Sequence, residues 1–245
     1  MSQFTRTEQL LGSKAFQQLQ QKSVTIVGLG AVGSYVVEAL ARAGVGRIRL
    51  VDFDRVEESN INRQLFALHH TIGHGKTAIA AERVRQINPR CDIEPLPLFC
   101  TAETLPQILA PAPDILIDAI DSLNPKTGLL QEAVTRQIPV ISSMGAALRC
   151  DPAQITSGDL FSSSGCPLAR HLRRRLRRRG ITCGIYCVYS TETVDINFAK
   201  QPTQEVEGLG RARNILGSLP TIPGIFGLII ANVAILYLAG KKEMI

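Results

Sequence analysis

The sequence contains no Cys-x-x-Cys pair, although it holds six cysteines: Cys91, Cys100, Cys150, Cys166, Cys183 and Cys187. That absence excludes the paired clips of a zinc ribbon or a thioredoxin-like redox motif. Cys183 and Cys187 are separated by three residues, and no second pair accompanies them. His69, His70, His74 and His171 show no metal-ligand spacing either. The N-terminus is polar and lacks a secretory leader, so free thiols in a reducing cytoplasm are expected. No internal repeat is visible. Residues 219–239 approach the length of a bilayer span, but Pro220, Pro223, Gly224 and Gly227 break their first third. The uninterrupted part, 228–239, is closer to a buried core helix. No integral membrane span is therefore expected, and peripheral contact with a membrane stays open.

What is present is the rhythm of an α/β domain. A chain of 245 residues with 45% apolar content can bury a real core, so one domain over 1–245 is expected. An apolar run at 24–27 leads into Gly28-Leu29-Gly30-Ala31-Val32-Gly33, a helical pattern at 34–43 stopped by Gly44, and a second apolar run at 48–51 ending in Asp52-Phe53-Asp54. This is one βαβ unit, with glycines where backbone N–H groups must approach a phosphate at a helix N-terminus. Helices follow at 76–87, 103–109 and 126–136, and strands at 92–98, 115–117 and 140–142, with Asp118 and Asp121 beyond the second of these strands. The alternation predicts a Rossmann-like, doubly wound, mostly parallel sheet. Residues 24–145 form its nucleotide-binding core. A basic inserted arm is expected at about 159–182. Residues 183–245 then complete the sheet with antiparallel strands at 185–189 and 194–199, a polar connection at 201–217, and the C-terminal helix.

Asp52 stands 19 positions after Gly33, where a dinucleotide enzyme places the acid that holds a ribose diol. Asp54, Asn60, Asn62, Arg63, Gln64 and Lys76 then crowd into the next two dozen residues. A dehydrogenase has no need of so many polar and cationic groups there. A nucleotidyl-transfer site does, because negative charge grows on the α-phosphate and on the pyrophosphate leaving group.

The runs LVDFDRVEESNINRQLF, GHGKTAIAAERVRQINP and ILIDAIDS resemble the ATP-binding core of the ubiquitin-activating-enzyme-like superfamily, whose members activate a carboxylate as an acyl-adenylate. The resemblance implies ATP and Mg2+ as cofactors and assigns roles residue by residue. Gly28, Gly30 and Gly33 line the phosphate turn, and Asp52 holds the ribose with Asp54 beside it. Asn60, Arg63 and Lys76 contact the triphosphate, supported by Gln64. Asp121 binds the magnesium, with Asp118 as a supporting candidate. Arg63, Lys76 and Asp121 are the catalytic set.

Within the superfamily, DAIDSLNPK, Asp151-Pro152 followed by Gln154-Ile155, CVYSTE and GSLPTIPGIFG resemble the tRNA threonylcarbamoyladenosine dehydratase branch. That branch adenylates the threonylcarbamoyl carboxylate of a modified adenosine beside the tRNA anticodon and cyclises it to a hydantoin. The resemblance runs from about Gly12 to Gly227. It further implies a cytoplasmic homodimer, with sulfur-transfer or electron-transfer proteins as further partners. The superfamily's N-terminal arginine, which serves the partner subunit's ATP site, falls at Gln9 here; the N-terminal arginine of this chain is Arg6.

The formal net charge is +6, and Arg170, Arg173, Arg174, Arg175, Arg177, Arg178 and Arg179 concentrate it in one run. These would place positive charge nearly all round a helix, which reads either as a solvated arm or, with the tRNA substrate that the resemblance implies, as a contact to the tRNA backbone, since no aromatics are interleaved to stack on bases. Cys187 precedes the STE segment, where some relatives carry an acyl-accepting cysteine. It is read as a buried small hydrophobe. Three other functions fit parts of the pattern: an adenylyltransferase for the C-terminus of a ubiquitin-like or sulfur-carrier protein, a nicotinamide-dependent oxidoreductase, and a non-catalytic RNA-binding scaffold.

Overall fold

Strand β1 (Ser23–Val27) is buried at every position after Ser23, as an apolar run with parallel neighbours on both sides must be. Those neighbours are β2 (Arg47–Val51), with Val24 opposite Ile48, and β4 (Ile115–Asp118), with Val24 opposite Ile115. With β3 (Asp92–Leu96), β5 (Val140–Ser143), β6 (Ile155–Asp159) and β7 (Tyr186–Ser190), they form one sheet in the order β3-β2-β1-β4-β5-β7-β6. The chain thus winds outward from β1 in one direction and resumes beside it at β4. A cleft opens at such a reversal, beyond the carboxyl ends of the two strands. The structure is a computed structural model and describes residues 2–194 and 216–244.

Helices cover both faces. On one side lie α2 (Ser13–Leu19), α3 (Gly33–Ala43), α4 (Lys76–Ile87) and α8 (Thr221–Leu238). They share a core with Ile26, Leu50 and Ile117 of the sheet. On the other side α5 (Leu105–Leu109), α6 (Leu123–Thr135) and α7 (Pro167–Arg177) pack on Val27, Val51 and Leu116. The short helix α1 (Thr5–Leu11) precedes α2 and adds Leu11 to the first core. Arg49 points from β2 into the second face and is only 4% exposed. Its guanidinium pairs with Glu94 at 2.9 Å and donates to the carbonyls of Ile108, Ala110 and Pro111, which closes the C-terminal end of α5.

The expected mixed, mostly parallel α/β sheet is what forms, with three local differences. First, β7 joins β5 in parallel; the antiparallel strand is β6, at the edge beyond it. Its sequence, Ile155-Thr-Ser-Gly-Asp159, offers almost no apolar signal. It forms through backbone pairing with β7, and a short polar strand suits an edge. The strand expected at 194–199 and most of the connection expected at 201–217 lie outside the described residues.

Second, α8 runs through Pro223, Gly224 and Gly227 instead of breaking there. Pro223 occupies the first turn, where its missing N–H has no helical acceptor to lose. Gly227 is a point of contact with α3: a Cβ there would lie 2.6 Å from the Val32 carbonyl oxygen and 2.8 Å from Tyr35 Cβ. Among the described residues α8 is the one helix long and apolar enough to cross a membrane, and more than half of it is buried in the fold.

Third, the basic run is not charged all round, nor does it stand apart as an arm. Ala169, Leu172 and Leu176 are fully buried in the second core, and α7 packs beside α6 as part of that layer. The spacing i, i+3, i+7 gives it one apolar stripe.

Candidate active site

The glycine turn between β1 and α3 is built by backbone pressed on backbone. Gly28 has φ +94°, and its N–H donates to the Val51 carbonyl at 2.8 Å. A Cβ at Gly28 would meet the Ala119 carbonyl oxygen at 2.7 Å, and one at Gly33 would sit 1.9 Å from the Gly28 carbonyl oxygen. No larger residue fits either position, and β4's exit is held directly against the turn. Among the described residues nothing accepts the N–H groups of Gly30, Ala31 and Val32. Consecutive unsatisfied donors at the start of an eleven-residue helix make an anion cradle, reinforced by the helix dipole.

Asp52 follows the last residue of β2, beneath this turn. One of its oxygens accepts the Leu29 N–H at 2.7 Å and the other the Asp54 N–H at 2.9 Å. Burial pushes its carboxyl above the ordinary value of 3.8, opposed by the nearby Lys76 ammonium and by the two N–H donors. Each oxygen retains a lone pair directed elsewhere, so the group can tie down the turn and still accept a ribose hydroxyl. Lys76 opens α4, is buried, and pairs with Asp54 at 2.9 Å. In this arrangement Asp54 holds the ammonium that the sequence assigns to the triphosphate.

Residues 57–66 cross above. The Ser34 hydroxyl accepts the Leu65 N–H at 3.1 Å and pins the segment to the first turn of α3. Gln64 is thereby brought over the glycine turn, with its Nε2 3.7 Å from where a Gly30 Cβ would stand. The Arg63 guanidinium donates to the Ser59 carbonyl at 2.8 Å and to Asn62 Oδ1 at 2.7 Å. Asn60 is buried and turns its amide back on its own segment, accepting the Glu57 N–H. Asn62 reaches the Ser218 carbonyl at 3.2 Å, linking the segment to the approach of α8.

Asp121 lies three residues past the end of β4, exposed, and accepts the Ser122 hydroxyl. Asp118 has a different situation. It is completely buried, pairs with the equally buried Lys126 at 2.7 Å, and accepts the Ser142 hydroxyl at 2.6 Å. Lys126 also donates to the Ile120 carbonyl at 2.9 Å. The pair is scaffolding that fixes the backbone leading to Asp121. Sequence reasoning missed Lys126, whose only local sign is a lysine within the apolar pattern of α6.

Arg149 and Glu192 were missed as well. The buried Arg149 guanidinium donates to the carbonyls of Gly145 and Glu192. The Glu192 carboxylate accepts the N–H groups of Cys150 and Asp151, each at 3.0 Å. Together they clasp the exit of β5 to the exit of β7.

Asp121 fits a Mg2+ ion of one kind only. No group of three or more His, Cys, Asp and Glu able to hold a metal occurs among the described residues. One exposed carboxylate suits a magnesium that takes the rest of its shell from phosphate oxygens and water. Cys187 is completely buried and its thiol is pushed up to about 12, chiefly by burial. Such a thiol is inert at neutral pH.

The seven arginines do not act as one set. Arg173 donates to the Ser163 hydroxyl at 2.6 Å, and Arg177 lies 5.6 Å from the centre of the Phe161 ring. On the opposite flank, Arg175 donates to Asn124 and Arg179 to Gln131, both on α6. Arg174 meets only His171, and Arg170 and Arg178 are exposed.

Known proteins match the sequence and the fold over nearly the whole chain. The chain is 36% identical over 247 residues to the tRNA threonylcarbamoyladenosine dehydratase of Bacillus subtilis, covering 100% of this chain and 97% of that one. The crystal structure of the Escherichia coli tRNA threonylcarbamoyladenosine dehydratase in complex with AMP superimposes with a TM-score of 0.86 at 33% identity, covering 98% of this chain and 95% of that one. The same enzyme in complex with ATP gives a TM-score of 0.85 at 34% identity, covering 98% and 94%. The sulfur carrier protein adenylyltransferase of Thermus thermophilus matches only 46% of this chain and 41% of its own, at 37% identity. The ThiF family model matches residues 4–245, and the chain belongs to that family.

Proposed function

We propose that this protein is an ATP-dependent dehydratase that cyclises the threonylcarbamoyl side chain of modified adenosine in tRNA to its hydantoin form. The observation that carries the proposal is the convergence of three unsatisfied N–H donors, Asp52, the Arg63–Gln64 segment and Asp121 at the switch point of the sheet. Full-length likeness to dehydratases, one of them crystallised with ATP and with AMP, supports it.

A carboxylate is a poor electrophile because its charge is delocalised and its leaving group is poor. Attack of the threonylcarbamoyl carboxylate on the α-phosphate of ATP gives a mixed anhydride and expels pyrophosphate. A nitrogen of the same side chain then attacks the activated carbonyl, closes the ring and expels AMP; the proton it loses goes to solvent. Nucleophile and electrophile are already tethered, so proximity supplies much of the second step. The protein binds and orients. The N–H groups of Gly30, Ala31 and Val32 receive phosphate oxygens, and Asp52 accepts from the ribose. Asn60 and Gln64 shape the cleft, and Arg63 and Lys76 oppose the charge that grows on the phosphates. Lys76 exchanges part of its contact with Asp54 for phosphate when nucleotide enters. Asp121 is the residue that would hold Mg2+, which when bound supplies charge neutralisation to the pyrophosphate.

The chain works as a cytoplasmic homodimer, for which light scattering should give about twice 26.6 kDa; a monomer mass would contradict it. A carrier-protein adenylyltransferase is less favoured, because Cys187 is buried in β7 while Cys183 is exposed, so the two do not form half of a zinc clip. Arg63→Ala and Asp121→Ala should each lower the rate of nucleoside conversion by roughly 100-fold or more, as loss of one transition-state charge contact does. Unimpaired conversion in both variants would leave only an RNA-binding scaffold with a nucleotide pocket.

A further inference from the structure

We infer that Arg170, Arg174 and Arg178 form a ladder for RNA phosphates, while the other four arginines of the run mount that ladder rigidly on the catalytic unit. The inference rests on tRNA being the substrate, as proposed above.

Charge is the first ground. Between Asp159 and Glu192 the sequence has no acidic residue, and no ion pair among the described residues involves any of the seven arginines. Arginines 170 and 174, 173 and 177, 174 and 178, and 175 and 179 stand four apart, the spacing at which like charges on a helix repel. The helix dipole favours cations near the C-terminal end, but it does not relieve repulsion along the solvent face. A helix assembled this way carries an electrostatic cost that a polyanion removes.

Geometry is the second. The buried stripe of Ala169, Leu172 and Leu176 fixes the roll of α7. At 3.6 residues per turn this places positions 170, 174 and 178 on the opposite side, each about 6 Å further along the axis. Positions 173 and 177 fall on one flank, where they meet Ser163 and Phe161, and 175 and 179 on the other, where they meet Asn124 and Gln131. The four flanking guanidinium groups thus each meet a side chain outside α7, whereas of the outward three only Arg174 has a side-chain partner, His171 of its own helix. No aromatic residue lies between Phe161 and Tyr186, so the outward face offers charge without a stacking platform, which suits backbone contact over base reading.

The mounting explains why the ladder matters to the reaction. Asn124 stands in the first turn of α6, which starts directly after Asp121 and Ser122. Arg175 therefore ties α7 to the element that issues from the catalytic end of β4, and RNA held on α7 is held in a fixed relation to the nucleotide.

The test uses the full chain and tRNA carrying threonylcarbamoyladenosine, with binding measured across a salt series. The variant Arg170→Gln/Arg174→Gln/Arg178→Gln should weaken tRNA binding at least tenfold at low salt. It should also flatten the slope of log affinity against log salt by about two to three, since each phosphate contact contributes about 0.7–0.9. Its melting temperature should equal or exceed the parent's, because repulsion is relieved. Arg175→Gln/Arg179→Gln should instead lower the melting temperature while changing the slope by less than about one. A parental slope in the outward variant, or a larger slope change in the flank variant, overturns the ladder. So does an outward variant that loses binding to vesicles of phosphatidylglycerol and phosphatidylcholine while keeping parental tRNA affinity, because the face would then belong to a membrane. If the parent protein shows the ladder's slope but leaves the nucleoside mass unchanged, the dehydratase proposal falls and the ladder stands.

Discussion

Lys126 and Asp118 form an ion pair with no solvent access, directly beneath the chain that leads to Asp121. Removing one partner leaves the other charge buried and alone, which costs about 3–5 kcal/mol. Lys126→Met should therefore lower unfolding free energy in urea by that amount. Lys126→Met/Asp118→Asn should recover much of it; a loss under about 1 kcal/mol in the single variant would show that the pair is not buried as described. Asp52 gives a prediction in pH. Its folded carboxyl holds a proton to higher pH than the unfolded one, so between the two values the folded state binds more protons. Its contribution to stability accordingly falls as pH rises through that window. Nucleotide binding needs the opposite state, the ionised acceptor. ATP affinity should drop on acidification at a pH above the ordinary carboxylate range, and Asp52→Asn should lower affinity and flatten that dependence. An unchanged pH profile in Asp52→Asn would remove Asp52 from the ribose site. At this scale the sequence is eloquent about the groups proposed to meet the nucleotide and nearly silent about those that face each other. Asp52, Arg63 and Gln64 sit at legible spacings from the glycine turn, whereas the partnership of Asp118 with Lys126 depends on how α6 folds back over β4.

Helix α8 shows why elements are harder to read than residues. Gly224 and Gly227 look like interruptions in an apolar run, because glycine lowers helix propensity by about 1 kcal/mol relative to alanine. Close packing on α3 outweighs that: a Cβ at Gly224 would press on the Tyr35 ring at 3.2 Å, and one at Gly227 would overlap Val32. Gly227→Ala should destabilise the protein by about 1–3 kcal/mol, the usual cost of overpacking. Gly128→Ala is the matched comparison. It lies inside α6 with nothing within 4 Å of a new Cβ, so it should stabilise by about 0.5–1 kcal/mol. Equal effects in thermal melts would mean that α8 does not seat on α3 as the geometry requires. The same physical reason accounts for the other elements that the sequence obscures. Strand β6 is made by backbone pairing, which polar side chains do not announce. In α7 the arginines mask three apolar positions, Ala169, Leu172 and Leu176, that the core selects. By contrast the central strands β1, β4 and β5 are buried almost throughout, and helix α4 begins and ends where its pattern does, at Lys76 and Ile87.

At the scale of the molecule, one end of the sheet gathers the proposed nucleotide site and one flank carries the charge. The glycine turn, Asp52, the segment with Arg63 and Gln64, and Asp121 gather at the carboxyl ends of β1, β2 and β4, where the reversal of strand order leaves room for a ligand. Helix α6 leads from there to α7 and its outward arginines. A nucleotide fold with a basic flank is what a tRNA-adenylating enzyme requires, and its central claim concerns one bond made and one water lost. The decisive measurement is to incubate the protein with ATP, Mg2+ and tRNA carrying threonylcarbamoyladenosine, then digest the tRNA and weigh the nucleosides by mass spectrometry. The account predicts loss of one water from that nucleoside with equimolar formation of AMP. An unchanged nucleoside, with adenylate appearing instead on the C-terminus of a carrier protein, would contradict it.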